Sequence, residues 1–456
     1  MMMQLSRRTF LYTVPMLGTL TAWPKLAAAA DSPVLAARPT TDAMKVDALL
    51  EVGGELKLNE QNKPRTLKMS VVGRMTYIER PLDVAEDAAV RLSARQYEIA
   101  EAIIKVDDSS TRPRLRAERH LIGVSASDES LLLYSPEGAL TRAELDLLDL
   151  PGNSLIVDQL LPGRAVDIND RWQHADILLG QLLRLDAVSK SEVYSELKEF
   201  NDSTARVELA GPLSGAINGV ATDLQIKGRY KFDRKLQRIT WLALLIEEVR
   251  SIGHVGPGAN VTSRLQLTIQ PVDTPAELSG ETVDAGIWTP SESAAALEYR
   301  LGDKGMVFYH DRRWHVMSEN RETASLRMVD RGELVAQCNA SLLAKVEPGK
   351  HVSLERFEQD IKETIGKNFG DFLQATESKS DRGYIMLRIV AQGQVAELPI
   401  QWIYYLIADS SGRQCVLAFT VEQEQLPRLA DNDLLIAESV EFIDPPTTAQ
   451  APSTNR

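Results

Sequence analysis

Alternation of apolar and polar residues dominates the first half of the chain. Between residues 220 and 232, Leu224, Ile226, Tyr230 and Phe232 alternate with Gln225, Lys227, Arg229 and Lys231, the two-residue period of a strand with one wet face. Residues 233–235 supply a turn. In the next run, LQRITWLALLIEEVR, Ile239, Trp241, Ala243 and Leu245 share one side while Leu242, Leu244 and Ile246 share the other, so both faces of the strand's middle are apolar. Each face then needs cover, a core on one and a helix or an apolar cavity on the other. Similar strand signals occur at 43–58, 66–79, 88–105, 117–124, 130–134, 188–199, 204–210 and 263–270.

Two helical stretches interrupt the strands. Thr141 followed by Glu144 has the spacing of a capping box and leads through Leu145, Leu148 and Leu150. After Trp172, Leu178, Leu182 and Leu185, with Leu179 and Leu183 beside them, form an apolar stripe at helical spacing. This helix is a candidate cover for the doubly apolar strand. If the space between them is a ligand cavity, Trp241, Leu242, Leu244 and Ile246 line it together with Leu178 and Leu182; if not, the same residues are packed core.

Residues 271–293, PVDTPAELSGETVDAGIWTPSES, are rich in Pro, Gly, Thr and Ser with no sustained periodicity and read as a linker between a domain at 40–270 and a second at 294–444. In the second, the pattern predicts a hairpin over 306–317 and strands at 324–329 and 333–343. A helix follows, capped by Ser353, with Leu354, Phe357, Ile361 and Ile365 on its apolar face and Gly366 at its exit. Strands at 384–392, 398–407 and 414–421 come next, the last two joined through 409–412, and a helix near 426–437 leads into SVEFI. The Pro/Thr/Ala-rich tail, 445–456, is expected to be disordered.

The first 30 residues have the three parts of an export signal: Arg7 and Arg8, an apolar stretch from Phe10 to Trp23, and a small-residue end at Ala27 to Ala30. The stretch is short of the roughly 20 apolar residues that a membrane span needs, and no later stretch is long enough either. The mature protein is therefore expected outside the cytoplasm without a transmembrane span. The formal charge of the whole chain is −13, and loss of Arg7, Arg8 and Lys25 with the signal makes it more acidic, which makes nucleic acid a poor partner. Arg112, Arg114, Arg116, Arg119 and His120 are spaced for one solvated strand face.

Chemistry-bearing motifs are sparse. The two cysteines, Cys338 and Cys415, sit in apolar strand-like runs, and both a disulfide and two buried free thiols fit them. Of six histidines, only His310 and His315 are close in sequence; with Asp311 they have the residue types of a zinc or copper site, but the flanking Arg312 and Arg313 would repel a cation. Nucleophile elbow, zinc-protease helix and phosphate loop are absent, and Gly253 to Gly258 reads as a strand connection. The expectation is no cofactor, no metal and no catalysis.

Ser6-Arg7-Arg8-Thr9-Phe10-Leu11 closely resembles the S-R-R-x-F-L pattern of twin-arginine signals, which implies export of the folded protein to the periplasm. Many long antiparallel strands over 40–270, interrupted by a helical insertion after LLPGRAVDINDRW, resemble the open half-barrel of bacterial LolA-like envelope proteins, which implies a concave sheet covered by helices that holds acyl chains. From Met306 to Ile443, the element order, with ELVAQCNASLL ahead of a helix and PIQWIYYLIADSSGRQCVLAFTVE near the end, resembles the PsbP-like sandwich, whose members are adaptors, assembly factors or small envelope lipoproteins without shared catalytic residues. The fold class expected is α+β in two domains, an antiparallel β half-barrel with covering helices and then an α-β-α sandwich with an antiparallel sheet. The function expected is a non-catalytic envelope protein that binds a lipid or acyl chain through the first domain and a protein partner through the second. A purely structural or assembly role, and a hydrolase with its site between the domains, are the alternatives.

Overall fold

The computed structural model describes residues 32–60, 63–82, 90–128, 130–280, 287–302 and 305–443. The export-signal segment and the tail from 445 lie outside the described residues. The alternating segments form one large antiparallel sheet. Its strands are β1 (Met44–Glu60), β2 (Lys63–Pro81), β3 (Val90–Val106), β4 (Leu121–Ser127) and β5 (Leu131–Tyr134) on one wing. A two-residue strand β6 (Leu140–Thr141), helix α1 (Arg142–Leu148), β7 (Arg171–Gln173) and helix α2 (Asp176–Leu183) follow. The other wing comprises β8 (Tyr194–Phe200), β9 (Thr204–Ile217), β10 (Val220–Asp233), β11 (Arg238–Arg250) and β12 (Gly258–Pro271). The spatial order is β7-β8-β9-β10-β11-β12-β1-β2-β3-β4-β5, so the first and last long strands of this half meet in the middle.

One face of this sheet is covered by α1, α2 and the 3-10 turn Val157–Leu160, which together with the inward residues of the strands form one continuous core. Thr141 caps α1 through the reciprocal box with Glu144, as the spacing predicts. In β11, Leu242, Leu244 and Ile246 point into the core. A bulge corrects the face expected for Ile239: Lys231 pairs with Trp241 and Phe232 with Ile239, so Thr240 is unpaired and Ile239 joins the core side, away from Trp241.

The second half begins with β13 (Leu297–Leu301), β14 (Met306–His310), β15 (Trp314–Glu319), β16 (Thr323–Asp330) and β17 (Glu333–Leu342). Helix α3 (Leu354–Ile365) is capped by Ser353 and ends at Gly366 with φ +59°. Then come β18 (Phe369–Lys379), β19 (Ile385–Val395), β20 (Leu398–Ala408) and β21 (Gln414–Glu422), two short helices α4 (Leu426–Leu429) and α5 (Asn432–Glu438), and β22 (Glu441–Phe442). A seven-stranded antiparallel sheet runs β15-β16-β17-β21-β20-β19-β18. The overall class is α+β, mostly strand, with several largely antiparallel sheets.

The expected hairpin over 306–317 does not form. Strand β14 pairs with β13 and β22 in a small four-stranded sheet, whereas β15 pairs with β16 in the seven-stranded one, so residues 311–313 are a corner between two sheets. That corner is also where the halves join. Residues of β6 pair in parallel with β13, adding a strand from the first half to the small sheet. Arg142 donates to the carbonyls of Arg312 and Trp314, while Arg312 donates to those of Leu133 (2.5 Å) and Ala295 (2.8 Å). Arg116 bridges Glu144 (2.7 Å) and Glu298 (3.2 Å), so the basic cluster around it is no solvated strand face; Ala117–Arg119 is a 3-10 turn.

A second contact joins the halves where two hairpin tips meet. A Cβ on Gly219 would lie 1.9 Å from the Gly332 Cα, and both glycines have positive φ. The segment read as a linker is packed at both described ends. Leu278 and Trp288 are buried against Ala94, with Ile78, Leu82 and Leu121 around them. Arg80 donates to the Leu278 carbonyl (2.5 Å) and the Tyr134 hydroxyl to the Trp288 carbonyl. Two anchors so far apart produce no periodicity for a sequence pattern to reveal.

Candidate functional site

The six residues expected to line a cavity are divided between the two faces of the sheet. Leu178, Leu182, Leu242, Leu244 and Ile246 are brought together in the core. Leu182 and Leu242 have 0% exposure, so no water-sized space touches either. The Gly152 backbone lies directly above this layer: a Cβ there would meet a Leu265 methyl at 2.5 Å and a Leu242 methyl at 3.5 Å. Trp241 is on the opposite face, as strand alternation requires, and does not join them.

That opposite face holds the open space. Strands β9 to β12 and β1 present two cross-strand rows, Glu208-Arg229-Ala243-Gln266-Leu49 and Ala210-Lys227-Leu245-Arg264-Glu51. They line a groove of about 620 Å³. Its floor is low because Ala210 and Ala243 stop at Cβ, while the long side chains at 227, 229 and 264 stand above it. Arg229 pairs with Glu208 at 3.2 Å. Lys227 and Arg264 have no ion pair among the described residues, so the rim carries surplus positive charge beside an apolar floor. A second space of about 460 Å³ adjoins it, sharing Glu208 and Arg229 and reaching Trp241, Lys198 and Lys231. Apolar Ala243 and Leu245 were visible as one face of a two-sided strand, but Lys227 and Arg229 had only the signature of an ordinary wet face.

Beneath the covering loop lies a buried ion pair. Arg95 Nε donates to Glu79 at 2.7 Å with both side chains under 5% exposed. Ser93 (2.8 Å) and Ser154 (2.5 Å) also donate to Glu79, Arg95 reaches Asn153 (2.5 Å), and the guanidinium lies 4.7 Å from the Tyr77 ring centroid. Burial works against the Glu79 carboxylate, but Arg95 and the hydroxyl donors outweigh it and hold its pKa below the ordinary value. Every oxygen is engaged, so the arrangement secures the loop to the sheet.

Elsewhere the candidate chemistry is occupied by packing. His310 is buried and its Nδ1 lies 2.8 Å from the Asp311 carbonyl oxygen; burial lowers the pKa of His310 and of His315 to about 4. Among the described residues no three potential metal-ligating side chains cluster. Cys338 and Cys415 are buried free thiols, raised by burial. No described helix is long and apolar enough to cross a membrane.

No family model and no curated protein matches the chain. Among solved structures, the chain is similar to cyanobacterial PsbP (CyanoP) of Synechocystis sp. PCC 6803 at 10% identity, over 33% of this chain and 93% of that one, with a TM-score of 0.27. It is similar to lipovitellin, described for its lipid–protein interactions, at 10% identity and a TM-score of 0.29 over 52% of this chain, and it spans only 26% of that protein. The translocator domain of the autotransporter NalP from Neisseria meningitidis aligns at 7% identity over 84% of this chain and 89% of that one, with a TM-score of 0.14. At such scores the fold described above stands on its own geometry.

Proposed function

We propose that this is a non-catalytic binding protein of the bacterial envelope, exported by the twin-arginine route to the periplasm, whose half-barrel seats an acyl chain with an anionic head. The PsbP-like sandwich would dock a protein partner. The observation that carries the reading is the groove on the open face of the large sheet, with its Ala210, Ala243, Leu245 and Leu49 floor and, on its rim, Lys227 and Arg264, which have no ion pair among the described residues. The floor suits a hydrocarbon chain, and the cations suit a carboxylate or phosphate head.

Mass spectrometry of lipids extracted from natively purified protein, combined with two substitutions, tests it. Leu245→Trp should fill the groove, strip the lipid and leave the unfolding midpoint nearly unchanged. Leu244→Trp should overpack the core and cost ~1 to 3 kcal/mol while lipid is retained. Loss of lipid from the Leu244 variant alone would place the seat beneath α2, as the sequence pattern first suggested. Lipid-free wild-type protein would leave the structural or assembly role standing instead.

A further inference from the structure

Five chain segments converge at one end of the large sheet, away from the groove. Residues 36–40, the end of β2 at Glu79 and Pro81, the start of β3 at Arg91, the turn carrying Ser154 and Asp158, and the start of β11 at Arg238 enclose a cavity of about 270 Å³. The Arg38 backbone N–H donates to the Gln237 carbonyl (2.9 Å), tying the first segment over the opening.

The charge in this cavity does not balance. Glu79 is satisfied by Arg95 and two serines. Asp158 accepts from the Ile239 N–H (2.6 Å) and from Arg238 Nη2 (3.3 Å), and both Arg238 and Arg91 act electrostatically on its carboxylate. Arg38 and Arg91 have no side-chain ion pair among the described residues. Arg238 is 7% exposed, yet its Nε and Nη1 make no hydrogen bond among the described residues. An orphaned buried donor is costly, more so when charged, and such orphans commonly mark a water or ion that completes the site.

We propose that this cavity binds a small free oxyanion of carboxylate or phosphate type, held by Arg238 and Arg91 with Arg38 above it. A guanidinium fork matches the paired oxygens of such an anion. The volume falls below the ~300 to 1,000 Å³ of pockets that enclose larger ligands, which favours a free anion over the head of a whole lipid.

The test uses the mature full-length chain with the arginine Nε–H groups observed by NMR. Titration with inorganic phosphate and, separately, with acetate in chloride buffer should move the Arg238 signal saturably, with a Kd for at least one of them below ~1 mM. Arg91→Gln should weaken that binding at least tenfold, whereas Arg74→Gln, at an exposed position outside the cavity, should leave it unchanged. Arg238→Gln should abolish binding if it folds, and the Arg91 variant decides the matter if it does not. No saturable response to either anion up to ~10 mM overturns the proposal, and so does wild-type affinity in the Arg91 variant. A response confined to phosphatidylglycerol vesicles also overturns it, by assigning the oxyanion to a lipid surface.

Discussion

The two main sheets treat neighbouring residues of a strand differently. In β20, the consecutive residues 405–408 are all buried: Leu406 and Ala408 lie under α3, while Tyr405 and Ile407 lie under α4, α5 and the small sheet. In β11, burial alternates, with Leu242 and Leu244 in the core and Ala243 and Leu245 only half covered. Both strands are apolar on both sides, yet only one is sandwiched. An apolar strand face with no layer above it is available for a ligand, whereas a sandwiched face is committed to stability. Of the two sheets, the large one is where binding is to be sought.

The charged groups break this comparison most strongly. Arg95→Met should destabilise the protein by ~3 to 5 kcal/mol in urea unfolding, because it leaves the buried Glu79 carboxylate without its cationic partner. The corresponding group in the second sheet is Arg388, 3.5 Å from Asp433 but 26% exposed, so Arg388→Met should cost clearly less. Equal losses would mean that Glu79 gains water when its partner is removed.

Alanine substitutions sharpen the comparison position by position. Leu406→Ala and Ile407→Ala, adjacent in β20, should each cost ~2 to 5 kcal/mol. In β11 only Leu242→Ala should fall in that range, with Leu245→Ala below ~1 kcal/mol by the same denaturation assay. A large loss at Leu245 would mean that the open face is covered in solution.

Acid titration acts through one group and is the most gradual of these effects. Burial holds His310 near pKa 4, below the ordinary 6.5, so it stays neutral in the fold. Well above pH 6.5 the folded and unfolded chains hold the same proton count at this site. As pH falls from about 6.5 towards 4, the unfolded chain takes up a proton that the folded one refuses, and stability declines by up to ~1.4 kcal/mol per pH unit. His310→Gln should flatten that part of the stability profile. An unchanged slope would show that His310 takes up its proton in the folded protein.

Most of the fold was legible because it follows local rules. Alternation marked the long strands, Thr141 with Glu144 marked α1, and Ser353 with Gly366 bounded α3. Strand β18 was invisible because it is an exposed edge with two bulges and no dry face to impose a pattern. The corner at 311–313 read as a hairpin turn because a turn's residues do not record which sheet receives the next strand. For the site, Ala243 and Leu245 were legible as an apolar face. The unpaired state of Lys227 and Arg264 was not, since it depends on neighbours supplied by strands β1 and β9 to β12.

The meeting of β1 with β12 has a consequence in time. Met44 pairs with Pro271 and Lys57 with Gly258, so one side of β1 waits for a partner made some 200 residues later. At ribosomal rates of ~5 to 20 residues per second, the wait is on the order of ten to forty seconds. Pairing with β2 occupies only the other side. During that interval a seventeen-residue strand presents unpaired backbone to every nascent copy nearby. Lys45, Asp47, Glu51, Glu55 and Lys57, set along one side of that ribbon, keep it hydrated until synthesis brings its intended neighbour.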